Sequence, residues 1–169
     1  YVSWVDGFPL PMVISMIGLA GYFSLIFLRK ATLMQKLVRW GALTIIGMLA
    51  THAFTIGIGA QRTMMTRPGY PFYPDFSWWL FNWVGEVNWV AVIPLFLSIP
   101  LLAVGKRKGW WLAVIAAVAI LAIDAPTQFI RTKTLDYLYG SLLSLGVLVF
   151  MFVPFFKKHL LVEESAPEA

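Results

Sequence analysis

The sequence predicts an all-α integral membrane protein, a bundle of five transmembrane helices with its amino terminus outside and its carboxyl terminus in the cytoplasm. Three observations carry that expectation. Of 169 residues, 60% are apolar and 12% charged, where a soluble domain carries about 45–50% apolar and about 25% charged residues. Mean hydropathy is +0.78, too high for a chain that must coat a water-facing surface. The apolar residues also gather into five stretches, each long enough as helix to cross a bilayer core of about 30 Å, which takes roughly 20 residues.

The first stretch, residues 9–28, is followed rather than preceded by basic residues, at Arg29 and Lys30. It reads as a retained span and not as a signal peptide. The second, 40–60, carries His52 and a small, hydroxylated stripe of Thr44, Gly47, Thr51 and Thr55 suited to close helix contact. The third, 78–104, contains Pro94 and Pro100 and is expected to tilt or kink there. The fourth, 110–130, holds Asp124 and Pro126, and the fifth runs over 135–156. Backbone polar groups must be satisfied internally in lipid, so these runs are helices. The strand alternation of a membrane barrel is absent. Residues 1–158 form one transmembrane domain and 159–169 a polar cytoplasmic tail.

The joints carry loop chemistry. Residues 61–77 include Pro68, Gly69, Pro71 and Pro74, and Gly105-Lys106-Arg107-Lys108-Gly109 is a tight basic turn. With five spans, one side holds nine basic residues: Arg29, Lys30, Lys36, Arg39, Lys106, Arg107, Lys108, Lys157 and Lys158. The other holds four, Arg62, Arg67, Arg131 and Lys133. The positive-inside rule then sets the orientation and gives a multi-pass protein of the cell membrane. The basic residues mark boundaries and form no continuous stripe, which argues against nucleic acid as a partner. Trp40, Trp78, Trp79, Trp110, Trp111, Tyr70, Tyr73, Tyr137 and Tyr139 lie near span ends, as an interfacial aromatic belt would.

Several chemistries are excluded. There is no cysteine, hence no disulfide, thiolate zinc site, iron–sulfur cluster or cysteine nucleophile. His52 and His159 fall at opposite ends of the spans and cannot share one haem iron. No HExxH helix, Walker loop, GxGxxG turn or GxSxG elbow occurs. No metal and no cofactor are expected.

The positive signal lies in ionisable groups at membrane depth, which cost about 2.5–3.5 kcal/mol each at mid-helix. At about 1.5 Å per residue, His52 and Glu86 each lie roughly 12 Å below the outer ends of their spans, and Asp124 roughly 9 Å. Three helices thus place a titratable side chain at similar depth. In the third span Trp79, Asn82, Trp83, Glu86 and Val90 share one helical face, expected to turn away from lipid. In the fourth, Asp124, Gln128 and Arg131 are spaced i, i+4, i+7. The candidate ligand-binding residues are therefore His52, Trp79, Asn82, Trp83, Glu86, Asp124, Gln128 and Arg131.

Each has a structural alternative. Glu86 and His52 pair across two helices, or Asp124 reaches Arg131 or Lys133. Asn82 and Asn88 act as interhelical hydrogen-bonding groups. The tryptophans serve as belt and core, and Arg62 and Arg67 contact headgroups. The functional expectation is a small membrane protein with an outer-leaflet polar and aromatic site. It acts as a ligand-binding or transport component, for a hydrophobic molecule such as a quinone, or as an accessory subunit of a larger membrane complex. The expected partners are the lipid bilayer and either such a molecule or another membrane subunit. The alternative is an intramembrane enzyme acting on a lipid-linked or isoprenoid substrate, with Glu86 or Asp124 as general base and Arg62, Arg67 and Arg131 holding a phosphate.

Overall fold

A computed structural model describes residues 18–19, 31–69, 72, 75–130 and 136–161. Among them are five helices: α1 (Leu33–Thr66), α2 (Phe76–Ala103), α3 (Arg107–Ile130), α4 (Asp136–Phe152) and α5 (Pro154–Leu160). No strand occurs among the described residues. The expected first span, 9–28, lies outside them apart from Gly18 and Leu19, which are helical.

The helices begin earlier than the apolar runs, because a hydropathic run ends at the first charge whereas a helix ends at its cap. Thr32 and Gln35 form a capping box at the start of α1: the Thr32 hydroxyl accepts from the Gln35 N–H at 3.2 Å and the Gln35 side chain accepts from the Thr32 N–H at 3.0 Å. Asp75 caps α2 by accepting from the Trp78 N–H at 3.0 Å. α2 stays helical through Pro94 and Pro100. Its carboxyl end closes in a Schellman turn. Gly105 takes φ +74°, its N–H reaches the Leu102 carbonyl at 2.9 Å, and the Lys106 N–H reaches Leu101 at 2.8 Å.

α1, α2 and α3 are each long and apolar enough to cross a membrane, and the pair Tyr137–Phe152 with Pro154–Leu160 qualifies as a fourth crossing only if taken together. The fifth expected span, 135–156, is therefore not one straight helix. It breaks at Val153 and turns by 75° into α5. Proline cannot continue the ladder, and it forces the residue before it out of the helical region. Val153 accordingly takes φ −65°, ψ 122° ahead of Pro154.

Neighbours in sequence are neighbours in space. α1 packs on α2, α2 on α3, α3 on α4, and α4 returns to α1, while α5 crosses beneath α1 and α4. The result is a closed ring of four antiparallel helices, the arrangement short connections favour. Ile46, Leu49, Leu95, Leu102, Ile120, Val147 and Met151 fill its interior.

Close approach depends on small residues. A Cβ on Gly57 would stand 3.1 Å from the Trp89 backbone, and one on Gly85 would stand 2.8 Å from the Ala60 Cβ. The threonine stripe of α1 does not serve this purpose. Thr44, Thr51 and Thr55 donate to their own helix, at Trp40, Gly47 and Thr51, which satisfies each hydroxyl without a neighbour.

The basic end is tied by an unexpected residue. Arg39, counted above only as a boundary charge, is 3% exposed. Its Nε donates to the His159 carbonyl and its Nη1 to the Ala103 carbonyl, both at 3.3 Å. Both acceptors lie in the last turns of helices, where the dipole is negative and carbonyls lack intrahelical donors. Trp110 is likewise a packing residue and not a belt residue, buried with its indole N–H donating to the Met151 carbonyl at 2.9 Å.

Gly109 sits where α3 meets α2, and a Cβ there would stand 2.7 Å from the Leu101 Cβ and 2.9 Å from the Leu102 nitrogen. Gly109→Ala should lower stability by about 1–3 kcal/mol, the range for overpacking. Gly59, with nothing within 4 Å, should accept alanine with Tm unchanged or raised. Thermal unfolding of both variants in the same detergent checks this, and equal effects would remove close packing as the role of Gly109.

Candidate functional site

The three titratable groups expected at membrane depth do not form one site. His52 on α1 and Asp124 on α3 meet at the bundle centre, with Nε2 to Oδ2 3.5 Å apart and both side chains sealed from solvent. That is an ion-pair separation and longer than a hydrogen bond. Asn88 on α2 completes the cluster: its Nδ2 donates to Asp124 Oδ1 at 2.8 Å and to the Val84 carbonyl at 3.0 Å. Gly140 on α4 closes the fourth side, where a Cβ would overlap both the Asp124 carboxyl and the His52 ring. His52 and Asp124, expected at similar depth on separate helices, lie side by side in the bundle, and Asn88 lies at the same level.

The pair can balance its own charge. As imidazolium and carboxylate, or as imidazole and carboxylic acid, its net charge is zero, which suits an apolar interior where a lone ion is expensive. It lies inside the wall-to-wall packing of four helices. Among the described residues, no group of three or more His, Asp or Glu could hold a metal ion.

Glu86 lies on the opposite side of α2. The expected pairing of His52 with Glu86 does not occur: His52 faces Asp124, which Asn88 also holds, while the expected pairing of Asp124 with Arg131 or Lys133 falls on residues outside those described. The face carrying Trp79, Trp83, Glu86 and Val90 is an outer face, contrary to the expectation that it turns inward. Trp79 is 44% exposed, Trp83 45% and Val90 62%. The inward face is instead Val84, Asn88, Ala91, Leu95, Ser98 and Leu102. This side also carries Gly85, the small residue that meets Ala60 of α1.

The outer face has a structure of its own. Phe76 stacks on Trp79 with centroids 5.5 Å apart, and Trp79 meets Trp83 edge-on at 6.1 Å. One turn further, Glu86 opens into a groove of about 340 Å³ between α2 and α3, walled by Trp83, Val90, Pro94, Ile115 and Ala119. The groove surface is almost wholly apolar, and Glu86 lines it chiefly with its stem. Glu86 is half-buried there and has neither hydrogen-bond nor ion-pair partner among the described residues. Asn82 is half-buried on the same helix.

The remaining candidates serve the fold. Gln128 accepts from the Leu138 N–H at 3.1 Å and so caps the first turn of α4 from outside. Arg67 donates to the Phe72 carbonyl and lies 4.9 Å over the Trp78 ring, clipping its own loop. Gly140 carried no sequence signal. Its importance comes from lying opposite two side chains on other helices, a relation no local pattern encodes.

Asp124→Ala should destabilise the chain by about 3–5 kcal/mol, as removal of one member of a buried pair does. His52→Ala with Asp124→Ala should cost less than the sum of the two single changes. Glu86→Gln should stay within about 0.5 kcal/mol of the parent. Thermal unfolding across the four variants tests the division into two sites, and additive losses at His52 and Asp124 would dissolve the central cluster. No protein-family model, no curated protein and no solved structure matches this chain, so its site is read from geometry alone.

Proposed function

We propose that this chain is a multi-pass cell-membrane protein whose working surface is the outer face of α2 around Glu86, and that it binds a hydrophobic molecule there. The observation that carries the reading is Glu86, half-buried and without a partner among the described residues, at an apolar groove on the outer face of α2. A titratable group turned to hydrocarbon costs about 2.5–3.5 kcal/mol. A ligand that supplies a hydrogen-bonding group relieves that cost. A groove of about 340 Å³ falls within the usual range for small-molecule sites, about 300–1,000 Å³, and has their usual character of apolar walls with few polar groups.

A quinone fits this chemistry. Its flat ring would stack on Trp83, one of its ring oxygens would share a hydrogen bond with the Glu86 carboxyl, and its apolar tail would run along Val90, Pro94 and Ile115. His52 and Asp124 are left out of this reading, because they already serve each other. The reading as an intramembrane enzyme has less support, since Asp124 is sealed and Arg67 is committed to its loop.

One observation favours a second reading, as an accessory subunit. Phe76, Trp79, Trp83, Glu86, Val90, Ile93 and Leu97 alternate at spacings of three and four, and the six apolar members are all exposed. A seam of that period and length suits a helix of another membrane protein. In either case the carboxyl end faces the cytoplasm, as supported by Arg39, Lys106, Arg107, Lys108, Lys157 and Lys158 gathering at one end of the bundle.

Decylubiquinone added to the purified chain in detergent should raise Tm, and Glu86→Leu and Trp83→Ala should abolish the rise. The same rise in Glu86→Leu would sink the groove reading. No rise in the parent, together with a companion polypeptide in native mass spectrometry that Glu86→Leu releases, would establish the subunit reading in its place.

A further inference from the structure

A second cavity lies at the basic end of the bundle, away from Glu86 and from the central pair. Its volume is about 1240 Å³, and it is lined by Lys106, Arg107, Lys108 and Lys157 together with Leu101, Val104, Trp110, Trp111 and Leu161. We propose that this cavity binds the headgroup of an anionic phospholipid, with the phosphate among the four cations and the acyl chains against the apolar wall. The inference rests on the membrane reading of the chain but not on any occupant of the Glu86 groove.

Boundary charge explains basic residues near a span end but does not explain their arrangement here. Three of the cations come from the α2–α3 turn and the start of α3, and the fourth from α5. Elements far apart in sequence thus converge on one volume. The Schellman turn fixes the first group, through the Gly105 and Lys106 N–H bonds to Leu102 and Leu101. The break at Val153 swings α5 across the bundle end and brings in Lys157, whose Nζ stands 5.1 Å over the Trp110 ring.

The local field is unbalanced. Arg107 and Lys108 are the first two residues of α3, and its first turn holds no acidic residue. A helix start is already the positive end of the dipole, so cations placed there raise the free energy of the empty site. A bound anion reverses the sign of that contribution and also meets the free N–H groups of the first turn. The second wall selects the kind of anion. Leu101, Val104, Trp111 and Leu161 offer a free phosphate nothing, whereas they continue the bilayer's own hydrocarbon for a lipid. Basic pockets between helices at the cytoplasmic end have the chemistry for acidic headgroups.

The test uses the full chain in neutral detergent micelles doped with phospholipid carrying dibrominated acyl chains, which quench nearby indoles. Brominated phosphatidylglycerol should quench tryptophan emission at roughly one tenth of the mole fraction that brominated phosphatidylcholine requires. Trp111→Phe should remove most of the headgroup-dependent part. Lys157→Gln, and Lys106→Gln with Arg107→Gln and Lys108→Gln, should each reduce the preference, while Lys158→Gln, off the cavity, should keep it. Equal quenching by the two lipids, or a preference that survives both charge variants, would overturn the proposal. Inorganic phosphate that displaces brominated phosphatidylglycerol at micromolar concentration would reassign the cavity to a free anion. Quenching by neither lipid would overturn the proposal together with the membrane reading beneath it, whatever decylubiquinone does at Glu86.

Discussion

A carboxyl and an imidazole placed in the middle of an apolar bundle have to stay together, and much of this architecture follows from that requirement. Asp124 stands where four helices meet. It faces His52 on α1, receives Asn88 from α2, and leaves room for no side chain at Gly140 on α4. Displacing any one helix along its axis by a residue, about 1.5 Å, would separate groups that have no water to fall back on. The cluster therefore fixes the relative height of all four helices. Generic apolar packing cannot do that, since one leucine contact resembles the next.

The same cluster also fixes rotation. Asn88 must point inward to reach Asp124. Glu86 is two positions earlier, about 200° around the helix at 3.6 residues per turn, and so must point outward. The outward carboxyl is a geometric consequence of the inward amide. Gly57 against the Trp89 backbone and Gly85 against Ala60 hold α2 in that rotation from the α1 side. A change at the core would thus be felt at the groove without any chain of contacts through the helix, because the helix turns as one body.

The long apolar helices were legible in the sequence because an unbroken apolar run of about 20 residues has few other ways to satisfy its backbone, and 40–60, 78–104 and 110–130 each fall inside an observed helix or within a residue of its end. The shared depth of His52 and Asp124 was legible for the same reason, since rise per residue is nearly constant. The bend in the fifth expected span was not legible, because residues 135–156 stay apolar across Pro154 and hydropathy does not register a missing N–H. The rotation of α2 was not legible. Both of its faces show helical spacing, and aromatic and carboxyl side chains look like an inward face until the glycine contacts are known. Gln128 and Arg39 were misread for a related reason: each serves backbone groups of another element, and sequence does not show which backbone ends come near.

Arg39 has a mechanical consequence. One guanidinium grips the last turns of α2 and α5 from within α1, so the first two helices and the last share a single anchor. Neither helix end can drift without stranding a buried cation, and the basic face of the bundle is bound to move as a plate. At the opposite face, Gln128 joins only the consecutive helices α3 and α4, and Arg67 serves its own loop. Compliance in this molecule is accordingly polar: the splaying that would admit a bulky guest between α2 and α3 has its fulcrum at the basic end and its widest excursion at the other.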